Sequence, residues 1–126
     1  MDKAAGVRHP RRGDVYLVNF NPTIGSEIRK TRPALILQND IANRLSPITI
    51  VAAITSRYEE PLYPTEVRVR PGEGGLQTDS VVLLNQIRSI DKARLLRRLG
   101  ACSEDTMERV DQAVLVSLGL VDLTST

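Results

Sequence analysis

Ile48-Thr-Ile-Val-Ala-Ala-Ile54 is a near-continuous apolar run, with Pro47 before it and Thr55-Ser56-Arg57 after it. Such a run suits a strand that is covered on both faces rather than one with a wet side. Ala34-Leu-Ile-Leu-Gln38 reads the same way. Between the two, Asn39-Asp40 can cap one short helical turn before Pro47.

Upstream, Asp14-Val-Tyr-Leu-Val-Asn-Phe20 sets Val15, Leu17 and Asn19 against Tyr16, Val18 and Phe20. That strand buries one face and part of the other. Arg12-Gly13-Asp14 reads as a turn leading into it, and the loop from Asn21 to Arg32 holds the turn formers Pro22 and Gly25. Downstream, Thr65-Glu-Val-Arg-Val-Arg70 alternates, with Val67 and Val69 inward. Pro71-Gly-Glu-Gly-Gly75 is a turn cluster, and Ser80-Val-Val-Leu-Leu84 is the last strong strand. From Asp91 to Gly100 two readings stand: a helix capped by Asp91, or a strand in which Leu95, Arg97 and Leu99 alternate. The end reads as helix. Ser103 caps it, Glu104 and Asp105 suit the dipole in its first turn, and Met107, Val110, Val114, Leu118 and Val121 follow at helical spacing.

Short strands followed by a terminal helix give an α+β class, mainly β, with a strongly bent sheet or small barrel. The 126 residues fit a single domain, 1–126, with residues 1–10 as a frayed start. Exposed edges and unburied aliphatic surface make dimerisation a natural remedy. The 41% apolar residues include no Trp and one Phe, so the core is aliphatic. Cys102 is the single cysteine, which excludes an internal disulfide and fits a reducing compartment. No stretch reaches the roughly 20 apolar residues of a membrane span, and the first residues lack a signal peptide's apolar centre. The expectation is a cytoplasmic protein with no membrane association.

Conventional catalytic sets are missing. A single His (His9) and a single Cys make neither a His-based acid/base pair nor a zinc site. Adjacent acids such as Glu59-Glu60 and Glu104-Asp105 diverge and clamp a metal poorly, and no phosphate loop or nucleophile elbow is present. No cofactor is expected. What remains is a polar set at strand ends: Glu27, Arg32, Asn39, Thr55, Ser56, Arg57, Gln86 and Arg88. Pro33 holds Arg32 extended. Gathered on one side, these groups suit a phosphodiester and base edges; scattered, they are a polar rim. Net charge is only +2, but Arg29-Lys30 and Arg32 cluster in the early loop.

Arg12-Gly-Asp-Val-Tyr16, Pro22-Thr-Ile-Gly-Ser-Glu27, Thr31-Arg-Pro-Ala-Leu-Ile-Leu37, Gln38-Asn-Asp40, Val51-Ala-Ala-Ile-Thr-Ser56, Asp79-Ser-Val-Val-Leu-Leu84 and Gln86-Ile-Arg-Ser-Ile-Asp-Lys92 together resemble the MazF/PemK toxins of type II toxin–antitoxin systems. The resemblance runs in order from about Arg11 to Val121. It implies a small SH3-like barrel (CcdB/MazF-like) with a C-terminal helix, and a strand over Leu95–Ala101. It also implies a homodimer, a MazE-like antitoxin partner, and metal-independent, sequence-specific cleavage of single-stranded RNA by the substrate's own 2′-hydroxyl. The products would be a 2′,3′-cyclic phosphate and a 5′-hydroxyl. The family's catalytic Arg and Thr match Arg32 and Thr55. Its RNA-contacting and pocket positions match Arg12, Ser26, Glu27, Asn39, Tyr63 and Gln86. An arginine is a poor general base, so Arg32 is better suited as a transition-state clamp. Glu27, or no residue, takes the proton. The loop Ile28-Arg29-Lys30-Thr31 departs from the looser Gly-containing loop of many members and implies stronger attraction to the RNA backbone. Two other functions compete: a non-enzymatic CcdB-like toxin that binds DNA gyrase through the end of the terminal helix, and an RNA-binding barrel without chemistry.

Overall fold

The computed structural model describes residues 9–22, 24–27 and 30–122. Six strands, β1 (Asp14–Asn19), β2 (Thr31–Ile36), β3 (Ile48–Thr55), β4 (Glu66–Val69), β5 (Ser80–Asp91) and β6 (Leu95–Ala101), form one sheet in the order β4-β5-β3-β2-β1-β6. All of its pairings are antiparallel. A short helix α1 (Asp40–Leu45) joins β2 to β3, and α2 (Glu104–Ser117) follows β6 and packs on β4 and β5. The mainly-β class with a C-terminal helix is as read from the sequence. The term barrel is loose, because β4 and β6 are the two ends of the sheet and do not pair.

Strand β3 lies near the middle, and the reason for its apolar run is visible. Ala52 and Ile54 join Val15, Leu35, Val82, Leu84 and, from α2, Val110 and Ala113 on one face. Val51 and Ala53 join Val18, Phe20, Ala34, Ile36 and Ile90 on the other. Both faces are thus core, and alternation disappears. Each large aliphatic side chain buried this way contributes roughly 1.5–3 kcal/mol over exposure.

Helix α1 forms where Asn39 was read as a cap: its Oδ1 accepts from the Ala42 N–H at 2.9 Å. Behind it the buried Asn43 accepts from Gln38 Nε2 (3.0 Å) and from Thr49 Oγ1 (2.7 Å), and so ties α1 to β3. Gly13, at φ 96°, makes the turn into β1. Of the ten residues read as a frayed start, the first eight lie outside the described residues, and Pro10 is buried.

Three elements differ from the reading or settle it. Strand β5 continues to Asp91, well past Leu84. Its register jumps: Ala53 pairs with Leu83, yet Ala52 pairs with Ile87. Leu84, Asn85 and Gln86 therefore bulge out, and the polar Asn85-Gln86 breaks a pattern that resumes afterwards. Between Asp91 and Gly100 both signals are real, since Asp91 caps a single 3-10 turn (Lys92–Arg94) and β6 follows at once. Helix α2 is capped by Ser103, whose Oγ accepts from Thr106 N–H at 3.2 Å, but it stops at Ser117. Gly119 turns left-handed at φ 74° and leaves Leu118 and Val121 exposed.

The glycine cluster does more than turn. Glu73–Gly75 form a 3-10 turn pressed onto β6. A Cβ on Gly75, itself at φ 73°, would sit 2.0 Å from the Leu99 carbonyl oxygen, and one on Gly100 would sit 2.6 Å from the Gly74 carbonyl carbon. Cys102 packs beside this turn, where burial first and the Glu73 carboxylate second push its thiol up to about 12. Among the described residues no helix is long and apolar enough to cross a membrane.

Candidate active site at the mouth of strands β2 and β3

Strands β2 and β3 pair Ala34 with Ala53, Leu35 with Ala52 and Ile36 with Val51. The ladder ends at Ala34–Ala53, with Arg32 two residues before it on β2 and Thr55 two residues after it on β3, so both stand at the same end of the strand pair. Both then lie on the face of Ala34, Ala53 and Phe20, because side chains two apart share a face. On the other side of β2, Arg32 pairs with Val18 of β1. The Arg32 side chain is half-buried, and its Nε is a buried nitrogen without a hydrogen-bond partner. Buried donors are nearly always satisfied, and one left open costs about 1–3 kcal/mol. An orphaned guanidinium nitrogen at a strand mouth is a place for an acceptor the protein does not itself supply.

Thr55 ends β3 in a tight turn. Its Oγ1 accepts from the Arg57 N–H at 3.0 Å and lies 3.3 Å from the Arg57 carbonyl. The turn fixes the hydroxyl and presents Ser56 and Arg57 to solvent. Lys30, at the other side of the mouth, adopts a left-handed φ of 66°. Its N–H donates to Asn21 Oδ1 and its carbonyl accepts from Phe20 N–H, both at 3.0 Å.

A pocket of about 460 Å³ opens on this face, lined by Phe20, Ser26, Glu27, Ala53, Asn85, Gln86, Ile87 and Arg88. The β5 bulge delivers Asn85 and Gln86 to it. Gln86 Nε2 reaches the Ser26 carbonyl at 3.5 Å and so links the bulge to the β1–β2 loop. Glu27 is held in that loop by its own Oε1, which accepts from the Ile24 N–H at 2.7 Å. Arg88 lies over the Phe20 ring and donates to the Phe20 carbonyl. The pocket thus offers one carboxylate, two amides and a braced guanidinium, beside Arg32 and Thr55.

The pocket brings together Ser26, Glu27, Gln86 and Arg88; Arg32 and Thr55 share a strand end on the same face, with Lys30 just before β2 and the exposed Ser56 and Arg57 just after β3. Arg12 and Asn39 join neither group. Arg12 bonds the Leu37 carbonyl (2.9 Å) and Asp111 of α2 (2.5 Å), at the opposite end of β2. Asn39 is spent as the α1 cap at that same end. Tyr63 stands exposed in the loop before β4, its N–H on Glu66 Oε1 at 2.8 Å, and does not line the pocket. Arg29 lies outside the described residues. Asn85 and Phe20 were missed as site residues. Phe20 reads as core, and only the polar interruption after Leu84 hinted at Asn85.

A family model described as PemK-like, MazF-like toxin of type II toxin–antitoxin system matches residues 11–118. Endoribonuclease EndoA of Bacillus subtilis is 46% identical over 112 residues, covering 89% of this chain and 97% of its own. The crystal structure of MazF from Deinococcus radiodurans superposes with a TM-score of 0.78 at 29% identity, over 90% of this chain and 99% of the other. A mycobacterial endoribonuclease solved in complex with its cognate antitoxin gives 0.75 at 26%, over 90% and 98%. The match spans all six strands and α2, and with it the mouth formed by Arg32 and Thr55: this chain belongs to the PemK-like, MazF-like toxin family of type II toxin–antitoxin systems.

Proposed function

We propose that this chain is the toxin of its pair and an endoribonuclease that cuts single-stranded RNA at a short recurring word, using the substrate's 2′-hydroxyl as nucleophile. The observation that carries the reading is the buried, unpartnered Arg32 Nε at the strand end it shares with Thr55, on the face where a pocket of about 460 Å³ opens. The identity to a relative named endoribonuclease supports it.

The 2′-oxygen attacks phosphorus, its proton leaves, and the bond from phosphorus to the 5′-oxygen breaks. A 2′,3′-cyclic phosphate and a 5′-hydroxyl result. Negative charge grows on the phosphorane oxygens, where Arg32 donates charge-assisted hydrogen bonds and Thr55 one more. Glu27, or solvent with no residue of the protein involved, accepts the 2′-hydroxyl proton. Arg32 hydrogen-bonds the leaving 5′-oxygen, which takes its proton from solvent water to become the 5′-hydroxyl. Asn85, Gln86 and Arg88 read base edges. No step requires a metal.

The toxin works as a homodimer in the cytoplasm. The open edges β4 and β6 and the exposed Leu118, Leu120 and Val121 are surfaces a second copy can cover. Its other partner is a MazE-like antitoxin whose acidic, partly disordered tail covers the Lys30, Arg32 and Arg57 mouth. High salt should weaken that contact more than the homodimer. Poisoning of gyrase in the CcdB manner is not favoured, given the family to which the chain belongs.

The test is incubation with a long single-stranded RNA in excess EDTA, followed by mapping of fragment 5′ ends. Cuts at a recurring word with 5′-hydroxyl ends, absent with Arg32→Ala, are expected. Binding without cutting at any concentration would overturn the enzymatic reading.

A further inference from the structure

The β1 side chains Tyr16, Val18 and Phe20 share one face, and the cleavage pocket takes only Phe20. Around Tyr16, four residues and so about 13 Å back along the strand, lies a second hollow of about 620 Å³. Its wall carries His9, Arg11, Arg44 and Arg98, with Asp14 and Asp40 as its acids.

Both acids are already engaged. Asp14, 5% exposed, accepts from the Arg11 N–H at 2.9 Å and pairs with Arg98 at 3.2 Å. Asp40 accepts from the Arg12 N–H at 2.7 Å. Arg98 is neutralised by its partner, whereas Arg11 and Arg44 make no ion pair among the described residues. Their backbones are nevertheless held. Arg11 sits in the turn closed by Asp14 N–H on its own carbonyl (2.9 Å), and Arg44 sits in the last turn of α1, next to the buried Asn43. Three guanidiniums against two carboxylates leave this concave surface with a positive excess, and Arg11 and Arg44, on fixed backbone and without an ion-pair partner among the described residues, make a phosphate-binding arrangement.

The cations of the cleavage site, Lys30, Arg32 and Arg57, stand at its mouth, and those along its wall are tied to the protein. Arg88 is committed to Phe20, and Arg94 to the carbonyls of Asn19 and Asn21. A strand longer than the site carries further phosphates beyond these cations, which another part of the molecule can take. We propose that the Arg11/Arg44 hollow is an exosite that holds backbone phosphates of the RNA strand outside the segment being cut. The inference rests on RNA being the substrate. Binding there is independent of sequence and raises affinity for long strands only.

The experiment compares wild type with the Arg11→Gln/Arg44→Gln double variant, using 2′-O-methyl RNA, which lacks the nucleophile. Two lengths are used: about 20 nucleotides, longer than the ~4–16 that one small barrel covers, and about 4. For the long RNA, losing two phosphate contacts should raise Kd several-fold and flatten the slope of log affinity against log salt by about 1.4, at about 0.7 per contact. The short RNA should bind both proteins equally, and the melting temperature should not move. An unchanged salt slope on the long RNA, or equal weakening on both lengths, overturns the exosite. So does titration of these residues by inorganic phosphate or AMP with no loss of long-RNA affinity, which would make the hollow a small-anion site. Failure of wild type to cut unmodified RNA would strike the proposed activity alone, since the binding comparison does not depend on cutting.

Discussion

Arg88 holds its guanidinium 5.5 Å from the centroid of the Phe20 ring and donates from Nη1 to the Phe20 carbonyl oxygen at 3.2 Å. The pair joins the second half of β5 to the end of β1 and so forms one wall of the pocket. The cation–π contact contributes about 0.5–1 kcal/mol, and the fork geometry leaves the rest of the guanidinium facing the pocket. Lysine keeps the charge but loses both the fork and the stacking. Arg88→Lys should therefore lower stability by about 1 kcal/mol and RNA cleavage by roughly tenfold. Thermal melts and single-turnover cleavage check the two effects separately. A variant with wild-type melting and wild-type rate would show the contact to be idle.

Arg32 is a stability cost retained at the mouth. Its buried, unpartnered Nε predicts opposite effects on stability and activity when the head group is removed but the stem kept. Arg32→Met should slow cleavage by about 10²–10³ while raising unfolding free energy by about 1 kcal/mol or more, because the orphaned donor is gone. Denaturant titration beside cleavage assays reads both. Thr55→Val should act differently. It removes the Oγ1 that accepts from Arg57 N–H, so it should lose both activity and about 0.5–1.5 kcal/mol of stability. Parallel losses in Arg32→Met would remove the case for a strained donor.

Much of this was legible in the sequence, and for identifiable reasons. The β3 run, the Asn39 and Ser103 caps and the alternating β4 are local signals, and each element formed where its residues placed it. Arg32 and Thr55 were legible as strand-end residues, but that they share one end of the β2–β3 pair was not, since it follows from the register of the two strands. The bulge at Leu84–Gln86 is also non-local. Nothing at Asn85 announces that Ala52 and Ala53 pair four residues apart on β5. Arg12 and Asn39 stand at the other end of β2, and a residue's type does not say at which end of the sheet it will lie. Arg12 went to Asp111, a partner 99 residues away.

The contact between Gly75 and Gly100 was likewise invisible, since Pro71–Gly75 reads simply as a turn. In the fold the turn backs directly onto β6, leaving no room for a Cβ at either glycine. Gly100→Ala should cost about 2–3 kcal/mol, because backbone rather than a flexible side chain would have to move. Gly75→Ala should cost at least as much, since it adds left-handed strain to the clash. By contrast Gly72→Ala, at φ 94° but in open space, should cost only its backbone strain, about 1 kcal/mol. The Gly72 variant should have the highest denaturant midpoint of the three and the Gly75 variant one no higher than the Gly100 variant, and a Gly72 variant as damaged as Gly100 would refute the packing argument.

Glu73 gives the fold a defined acid sensitivity. Burial by itself would push its carboxyl up. Hydrogen bonding from Thr106, and from the N–H and hydroxyl of Ser103, together with the nearby Arg109 charge, outweighs burial and leaves it below the ordinary 4.5. A carboxyl depressed in the folded state contributes stability that is fully present above its unfolded value and is lost as pH falls through the folded one. The Glu73 contribution should thus be constant from neutral pH to about 4.5 and decline below that. Because the group is mostly solvated, screening holds it to about 1 kcal/mol or less, a few degrees in melting temperature for a domain of this size. Glu73→Gln should melt lower than wild type at pH 7, and the gap should close on acidification below about 4.5. A gap that stays constant to pH 3 would mean that the side chain acts by packing the turn against α2, with its charge contributing nothing.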